Sequence, residues 1–263
     1  MLKDLSLRVR SLILFMPPLI IASYYGGWVL GILVLLAAQV GLSELQSVLG
    51  FRAGYGVRLA ILAVLLAGFV DPRIVLAFYP ALLLDLLPIF FVSARQAIDW
   101  SGVLRGLARS SLAFLYMSLF AFWPQLSNLP GGRWALLATV VLIWVNDAAA
   151  YLIGSRWGNG GMVPALSPNK SWTGAIAGII GAISVGLIIG ALTQRPAIVI
   201  VPVAIGVAVA GQFGDLFESI LKRAGEVKDS GNIFPGHGGL LDRIDSLLFA
   251  VPITFILLYL DLI

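Results

Sequence analysis

Long apolar runs recur along almost the whole chain, and they restrict what it can fold into. Residues 11–25, 28–43, 57–70, 74–92, 111–126, 133–153, 173–193, 196–218 and 246–263 are each dominated by aliphatic and aromatic side chains. A bilayer offers the backbone no water, so a spanning segment must satisfy its own N–H and C=O groups. Continuous rather than alternating apolar runs achieve this as helices. The expectation is an all-α, polytopic integral membrane protein with about nine transmembrane helices, built as one membrane domain over 1–263. Composition agrees: 60% of residues are apolar and 11% charged, against about a quarter charged in ordinary soluble domains.

The connections punctuate this pattern. The basic start followed by residues 11–25 imitates a secretory signal, but no A-x-A-like cleavage site follows, so it reads as a retained span. Gly26-Gly27 makes a tight turn, and Asp71-Pro72-Arg73 breaks 57–70 from 74–92. The run 57–70 is short against the usual minimum of about 17 residues, which leaves open whether it spans fully. Residues 93–110, with Arg95, Asp99, Arg105 and Arg109, look interfacial. Gly27-x3-Gly31, Gly174-x3-Gly178 and Gly186-x3-Gly190 suit close helix packing. The chain has no cysteine, which excludes disulfides and thiolate metal sites.

Charge distribution gives an orientation. Threading the nine runs places fourteen of the 17 basic residues on one side, leaving only Arg73, Arg133 and Arg195 on the other. The positive-inside rule makes the first side, which holds the amino terminus, cytoplasmic. The net charge of +4 therefore reads as a topology signal, and nucleic acid is not an expected partner.

Two cytoplasmic stretches stand out, 154–172 and 219–245. The second, SILKRAGEVKDSGNIFPGHGGLLDRID, holds the only histidine, His237, among eight charged residues of both signs. A solvated loop could carry such charges without purpose, but the spacing argues for more. Asp215 and Glu218 precede the stretch at i, i+3, and Asp242 and Asp245 close it at i, i+3. Each pair shares a face if its segment is helical. A carboxylate at membrane depth, such as Asp215, costs roughly 2.5–3.5 kcal/mol at a helix centre and usually faces a cavity or a partner. Asp147 raises the same question at the end of 133–153. His237 can be read as a phosphate or metal contact, or merely as a turn-capping histidine. The stretch 154–172 contains Ser167-Pro168-Asn169-Lys170-Ser171-Trp172 but no G-x4-G-K-[ST] phosphate loop.

The run Ser219-x-Leu221-Lys222-Arg223-x4-Lys228-Asp229-x-Gly231-x2-Phe234-Pro235-x-His237-Gly238-Gly239-Leu240-x-Asp242-Arg243-Ile244-Asp245 resembles the signature of the CDP-diacylglycerol synthases, or phosphatidate cytidylyltransferases. The likeness is dense over about 144–250 and fades toward the amino terminus, where an Arg-bearing first span and Glu44 still look alike. It implies transfer of CMP from CTP to phosphatidic acid, giving CDP-diacylglycerol and pyrophosphate for phospholipid synthesis. The resemblance implies Asp215, Asp242, Arg243, Lys228 and His237 as catalytic residues. It implies Ser167, Lys170, Lys222, Arg223, Lys228, Gly238, Gly239 and Arg243 as substrate contacts. Asp215, Asp242, Asp147 and Asp245 become the candidate ligands for Mg²⁺, with a second cation also considered. Family members usually carry Glu or Gln where Thr173 stands.

On this reading residues 1–110 are lipid-facing spans and 111–263 the catalytic part, in a bacterial inner membrane. CTP, phosphatidic acid and the bilayer are the partners, and a homodimer is compatible with the sequence, which does not fix oligomeric state. Two alternatives stand beside it. An ion-coupled transporter also uses intramembrane carboxylates, but the charged Gly-rich pattern has no second copy in the chain. Another CTP-dependent lipid cytidylyl- or phosphotransferase is the nearer one.

Overall fold

The structure, a computed structural model, describes residues 16–51, 55–67, 100–159, 161–234 and 238–263. The expected span 74–92, residues 93–99 of the interfacial stretch, and His237 lie outside the described residues. In chain order the elements are α1 (16–25), α2 (Gly27–Leu49), α3 (Tyr55–Ala67), α4 (Trp100–Ser118), a 3-10 turn (Leu119–Ala121), α5 (Phe122–Asn128) and α6 (Gly132–Trp157). An antiparallel ribbon of β1 (Gly161–Val163) and β2 (Ser167–Ser171) follows, then α7 (Trp172–Leu192), α8 (Ala197–Ala224) and α9 (Leu241–Tyr259).

The molecule is helical, and α2, α6, α7 and α8 are each long and apolar enough to cross a membrane. The expected count of about nine is not reached among the described residues. The run 57–70 corresponds to α3, 13 residues long, or about 20 Å against a hydrocarbon core of about 30 Å. The run 111–126 is divided between α4, the 3-10 turn and α5. Pro124 lacks the N–H that would bond the Phe120 carbonyl, so a continuous α-helix is interrupted there.

Large apolar side chains point outward from the long helices, among them Trp28, Trp134, Ile180, Ile188 and Ile198. Their exposure is what a lipid-facing surface requires. Helix α9 is the buried centre instead: Leu247, Leu248, Ala250 and Val251 are sealed on it, beside Phe114, Leu136 and Ile143. The hydroxyls of Thr139 on α6 and Thr254 on α9 meet at 2.7 Å in this core. Small residues bring α6, α7 and α8 together, since Gly174, Gly178, Ala182, Gly186 and Gly190 form the buried stripe of α7. An added Cβ at Gly178 would lie 2.6 Å from Asn146 Oδ1 on α6. Gly27 behaves differently, because a Cβ there would meet nothing within 4 Å; its φ of 48° places it in the turn after α1.

Both charged stretches sit at one end of the bundle and are more regular than expected. Residues 154–157 belong to α6, and most of 161–171 forms the ribbon. Ser171 caps α7 by accepting the Gly174 N–H at 3.1 Å. Helix α8 continues past 218 to Ala224, taking in Lys222 and Arg223, which are favourably placed cations at a helix C-terminus. Gly225 then ends it where a Cβ would lie 2.0 Å from the Val48 carbonyl at the end of α2. The same end gathers Arg58, bonded to Gln46, and Arg109, bonded to Gly50. Arg133 and Arg195 lie at the other ends of α6 and of the α7–α8 connection.

Candidate active site

At the charged end a cavity of about 760 Å³ opens between α6, β2, α7, α8 and the start of α9, with Asp147, Lys170, Asp215, Asp242 and Asp245 in its wall. Each comes from a different local reason. Asp147 follows the buried Asn146 on α6, whose side-chain N–H donates to Asp147 Oδ1 at 2.9 Å. Gln212 on α8 holds that asparagine in place, donating to Asn146 Oδ1 at 3.0 Å and to the Ala175 carbonyl at 2.9 Å. Gln212 and Asp215 are three residues apart on α8, so both reach the same wall. From β2, Lys170 crosses the cavity to Asp215, Nζ to Oδ2 2.7 Å.

A second cluster lies behind the first. Lys222 donates to Glu218 Oε2 at 2.5 Å and to Asp242 Oδ1 at 2.6 Å, joining α8 to α9. The other oxygen of Asp242 accepts the backbone N–H of Ser230 and of Gly239, each at 2.8 Å, and lies 2.9 Å from Ser230 Oγ. Burial alone would raise the Asp242 carboxyl, but Lys222 and these two N–H groups outweigh it and hold it below the ordinary carboxylate range. Asp242 thereby folds the Gly-rich stretch back on itself. Gly238 is required at that fold: its φ is 78°, and a Cβ would lie 2.4 Å from Asp242 Oδ2.

The remaining expected residues are placed less centrally. Gly238 and Gly239 wrap Asp242, and the Gly239 N–H is engaged by it. Ser167 pairs with Val163 in the ribbon. Arg223 donates to the Leu166 carbonyl at 3.2 Å, tying the ribbon to α8. Lys228 is exposed, and Arg243 is half-buried on the first turn of α9; neither lines the cavity. Asn146, Gln212 and Ser230 are site residues that spacing did not single out. For Gln212 the signal was present, since it lies one helical turn before Asp215.

Oxygen donors facing the cavity suit a hard divalent cation. Among the described residues no three acidic or histidine side chains converge to hold an ion by themselves. Mg²⁺ needs no such cage, because it normally takes one or two carboxylates and completes its shell with water and substrate phosphate. Asp215, whose side chain is 43% exposed, and Asp147 meet that requirement, with Asp245 in the same wall. The oxygens of Asp242 are occupied by hydrogen-bond donors.

Apolar helices closing on a pocket that holds Lys170 among four carboxylates define a helical membrane protein with a polar cavity at one end of its bundle. The cytidylyltransferase family profile matches residues 6–261, and the chain belongs to that family. It is 40% identical over 152 residues to the phosphatidate cytidylyltransferase of Bacillus subtilis, an alignment covering 56% of each chain. It is 39% identical over 166 residues to the phosphatidate cytidylyltransferase of Thermotoga maritima, covering 60% of this chain and 61% of the relative. An uncharacterized Escherichia coli protein is 37% identical over 198 residues, covering 75% of this chain and 62% of its own length. The alignments thus span less than two thirds of each of these relatives.

Proposed function

We propose that the chain is a phosphatidate cytidylyltransferase, joining CMP from CTP to phosphatidic acid and releasing pyrophosphate. The observation that carries this reading is a cavity at the end of apolar helices in which Lys170 pairs with Asp215 while Asp147 and Asp245 line the same wall. Names of the relatives point the same way.

In the reaction, a phosphate oxygen of the lipid attacks the α-phosphorus of CTP, and the bond from that phosphorus to the bridging oxygen of the β-phosphate breaks. The nucleophile is already an oxyanion, so no general base is needed. The barrier is electrostatic, because two polyanions must meet and charge must leave with pyrophosphate. Lys170 is placed to exchange Asp215 for a nucleotide phosphate. The N-terminus of α7, at Trp172, also opens beside the cavity and favours negative charge there. Asp215 and Asp147 would hold Mg²⁺, with Asp245 available to it or to a second cation. When bound, Mg²⁺ would neutralise phosphate charge and align the α-phosphate. Lys222 and Asp242 hold the Gly-rich stretch against the start of α9, behind this pocket. Arg223, Lys228 and Arg243, with His237 outside the described residues, remain candidate phosphate contacts.

The lipid enters from the bilayer and CTP from the cytosol, with about nine spans and a cytoplasmic active site. An apolar groove of about 350 Å³ between α1, α2 and the Gly-rich stretch supports an acyl-chain site in the amino-terminal half. Phe234 and Leu240 line it from the same stretch that carries Asp242. Purified protein given labelled CTP, Mg²⁺ and phosphatidic acid should form CDP-lipid and pyrophosphate in equal amounts. A folded preparation that makes neither would refute the assignment.

A further inference from the structure

Helix α9 begins without a capping side chain of its own. Leu240 occupies the capping position with φ −68° and ψ −42° and offers no acceptor. The acceptor comes from Glu44, 196 positions earlier, near the end of α2. Its Oε1 accepts the Leu240 N–H at 2.8 Å and its Oε2 the Leu241 N–H at 2.9 Å. One carboxylate thus satisfies two N–H groups that the helix start would leave unpaired. Glu44 is 5% exposed, so this charge is held out of water by the helix terminus it serves. Ser230 Oγ lies 3.1 Å from Glu44 Oε2 and 2.9 Å from Asp242 Oδ2, bridging the two carboxylates. The glycines are fitted to the same side chain. A Cβ at Gly231 would have three Glu44 atoms as its nearest neighbours, the closest at 2.8 Å, and one at Gly239 would lie 2.6 Å from Glu44 Cδ.

We infer that Glu44 is a positioning residue for the reaction, fixing the Gly-rich stretch and the first turn of α9 so that Asp242 and Lys222 stay aligned behind the cavity. The inference rests on the proposed cytidylyl transfer for its kinetic arm only. Gln at 44 would turn one donor toward an N–H group, whereas Asp keeps both oxygens on a stem one methylene shorter.

The full-length chain in detergent should be compared as wild type, Glu44→Gln, Glu44→Asp, Gly231→Ala and Gly231→Ala/Glu44→Asp. In Glu44→Gln, hydrogen exchange should rise at least tenfold in peptides covering 238–242 and stay unchanged in α6 and α7. The kcat should fall at least tenfold with the KM for CTP within threefold, and Glu44→Asp should recover part of kcat. Unchanged exchange at 238–242, or a uniform rise through α6 and α7, would overturn the inference. If Glu44→Gln does not fold, the Gly231 cycle decides. Shortening Glu44 should relieve the Gly231→Ala loss of exchange protection, and additive losses would count against the contact. A wild-type chain that makes no CDP-lipid would remove the functional reading while leaving the exchange result to judge Glu44.

Discussion

Asp242 and Asp215 are both acids in one cavity wall, yet their surroundings give them different work. Asp242 accepts from Lys222, Ser230 and Gly239, whereas among the described residues Asp215 is ion-paired with Lys170 alone. Asp242→Asn should therefore cost stability as well as turnover, because an amide must turn a donor toward one of those N–H groups or toward Lys222. Its depressed carboxyl fixes the sign of the pH effect. A group held below its unfolded value contributes stability that is complete above that value and is lost as pH falls through the folded one. The melting-temperature gap between wild type and Asp242→Asn should narrow as pH falls below about 3.9. A gap that widens in acid would reverse the argument. Asp215→Asn should instead leave melting nearly unchanged, lower kcat by two or more orders of magnitude and shift the Mg²⁺ dependence. Asp261, exposed in the turn after α9 with φ 53°, is the control; Asn tolerates that conformation, so Asp261→Asn should be near neutral in both assays.

Among the elements, α7 is the most constrained by its neighbours. Gly178 faces both the side chain and the backbone carbonyl of Asn146, at 2.6 and 2.9 Å from an added Cβ. Gly178→Ala would push on the residue that orients Asp147 and receives Gln212. It should lower the melting temperature, consistent with an overpacking cost of about 1–3 kcal/mol, and reduce CDP-lipid formation beyond the loss of folded protein. Gly106→Ala on α4 meets nothing within 4 Å and should be neutral or slightly stabilising. Elements were the most legible part of this sequence. Continuous hydrophobicity located α2, α6, α7 and α8, because a bilayer leaves few other solutions. It located α9 by the run 246–263 but missed the first turn that carries Asp242 and Asp245, and it stopped short of α8 beyond 218, where the Glu218–Lys222 pair continues the helix. The acids of the cavity were legible by their cost in an apolar chain. The role of Glu44 was not, since nothing local to α2 reveals that its partners are N–H groups of Leu240 and Leu241.

At the scale of the whole molecule, the bundle has two unlike ends. Gly26, Ser127 and Arg133 meet at one, where an added Cβ on Gly26 would touch both side chains. The ribbon, the end of α8 and the Gly-rich stretch share the other, joined by the Arg223–Leu166 and Lys170–Asp215 contacts. A chain so arranged cannot place its two charged stretches on opposite sides of a membrane. Basic residues near the helix ends divide the same way, with Arg156, Lys170, Lys222 and Arg223 at the cavity end and Arg133 and Arg195 away from it. On the positive-inside rule we propose that the cavity end faces the cytoplasm, where CTP would be available. Because the chain has no cysteine, single cysteines report cleanly on this. Ala165→Cys in the ribbon turn and Asn232→Cys in the Gly-rich stretch are exposed positions and should resist an impermeant thiol reagent in intact cells. Both should react after the membrane is permeabilised. Asn128→Cys, exposed at the end of α5 beside the start of α6, should react without permeabilisation. Labelling of 165 and 232 from outside, with 128 protected, would invert the orientation and separate the cavity from the cytosolic nucleotide proposed as its substrate.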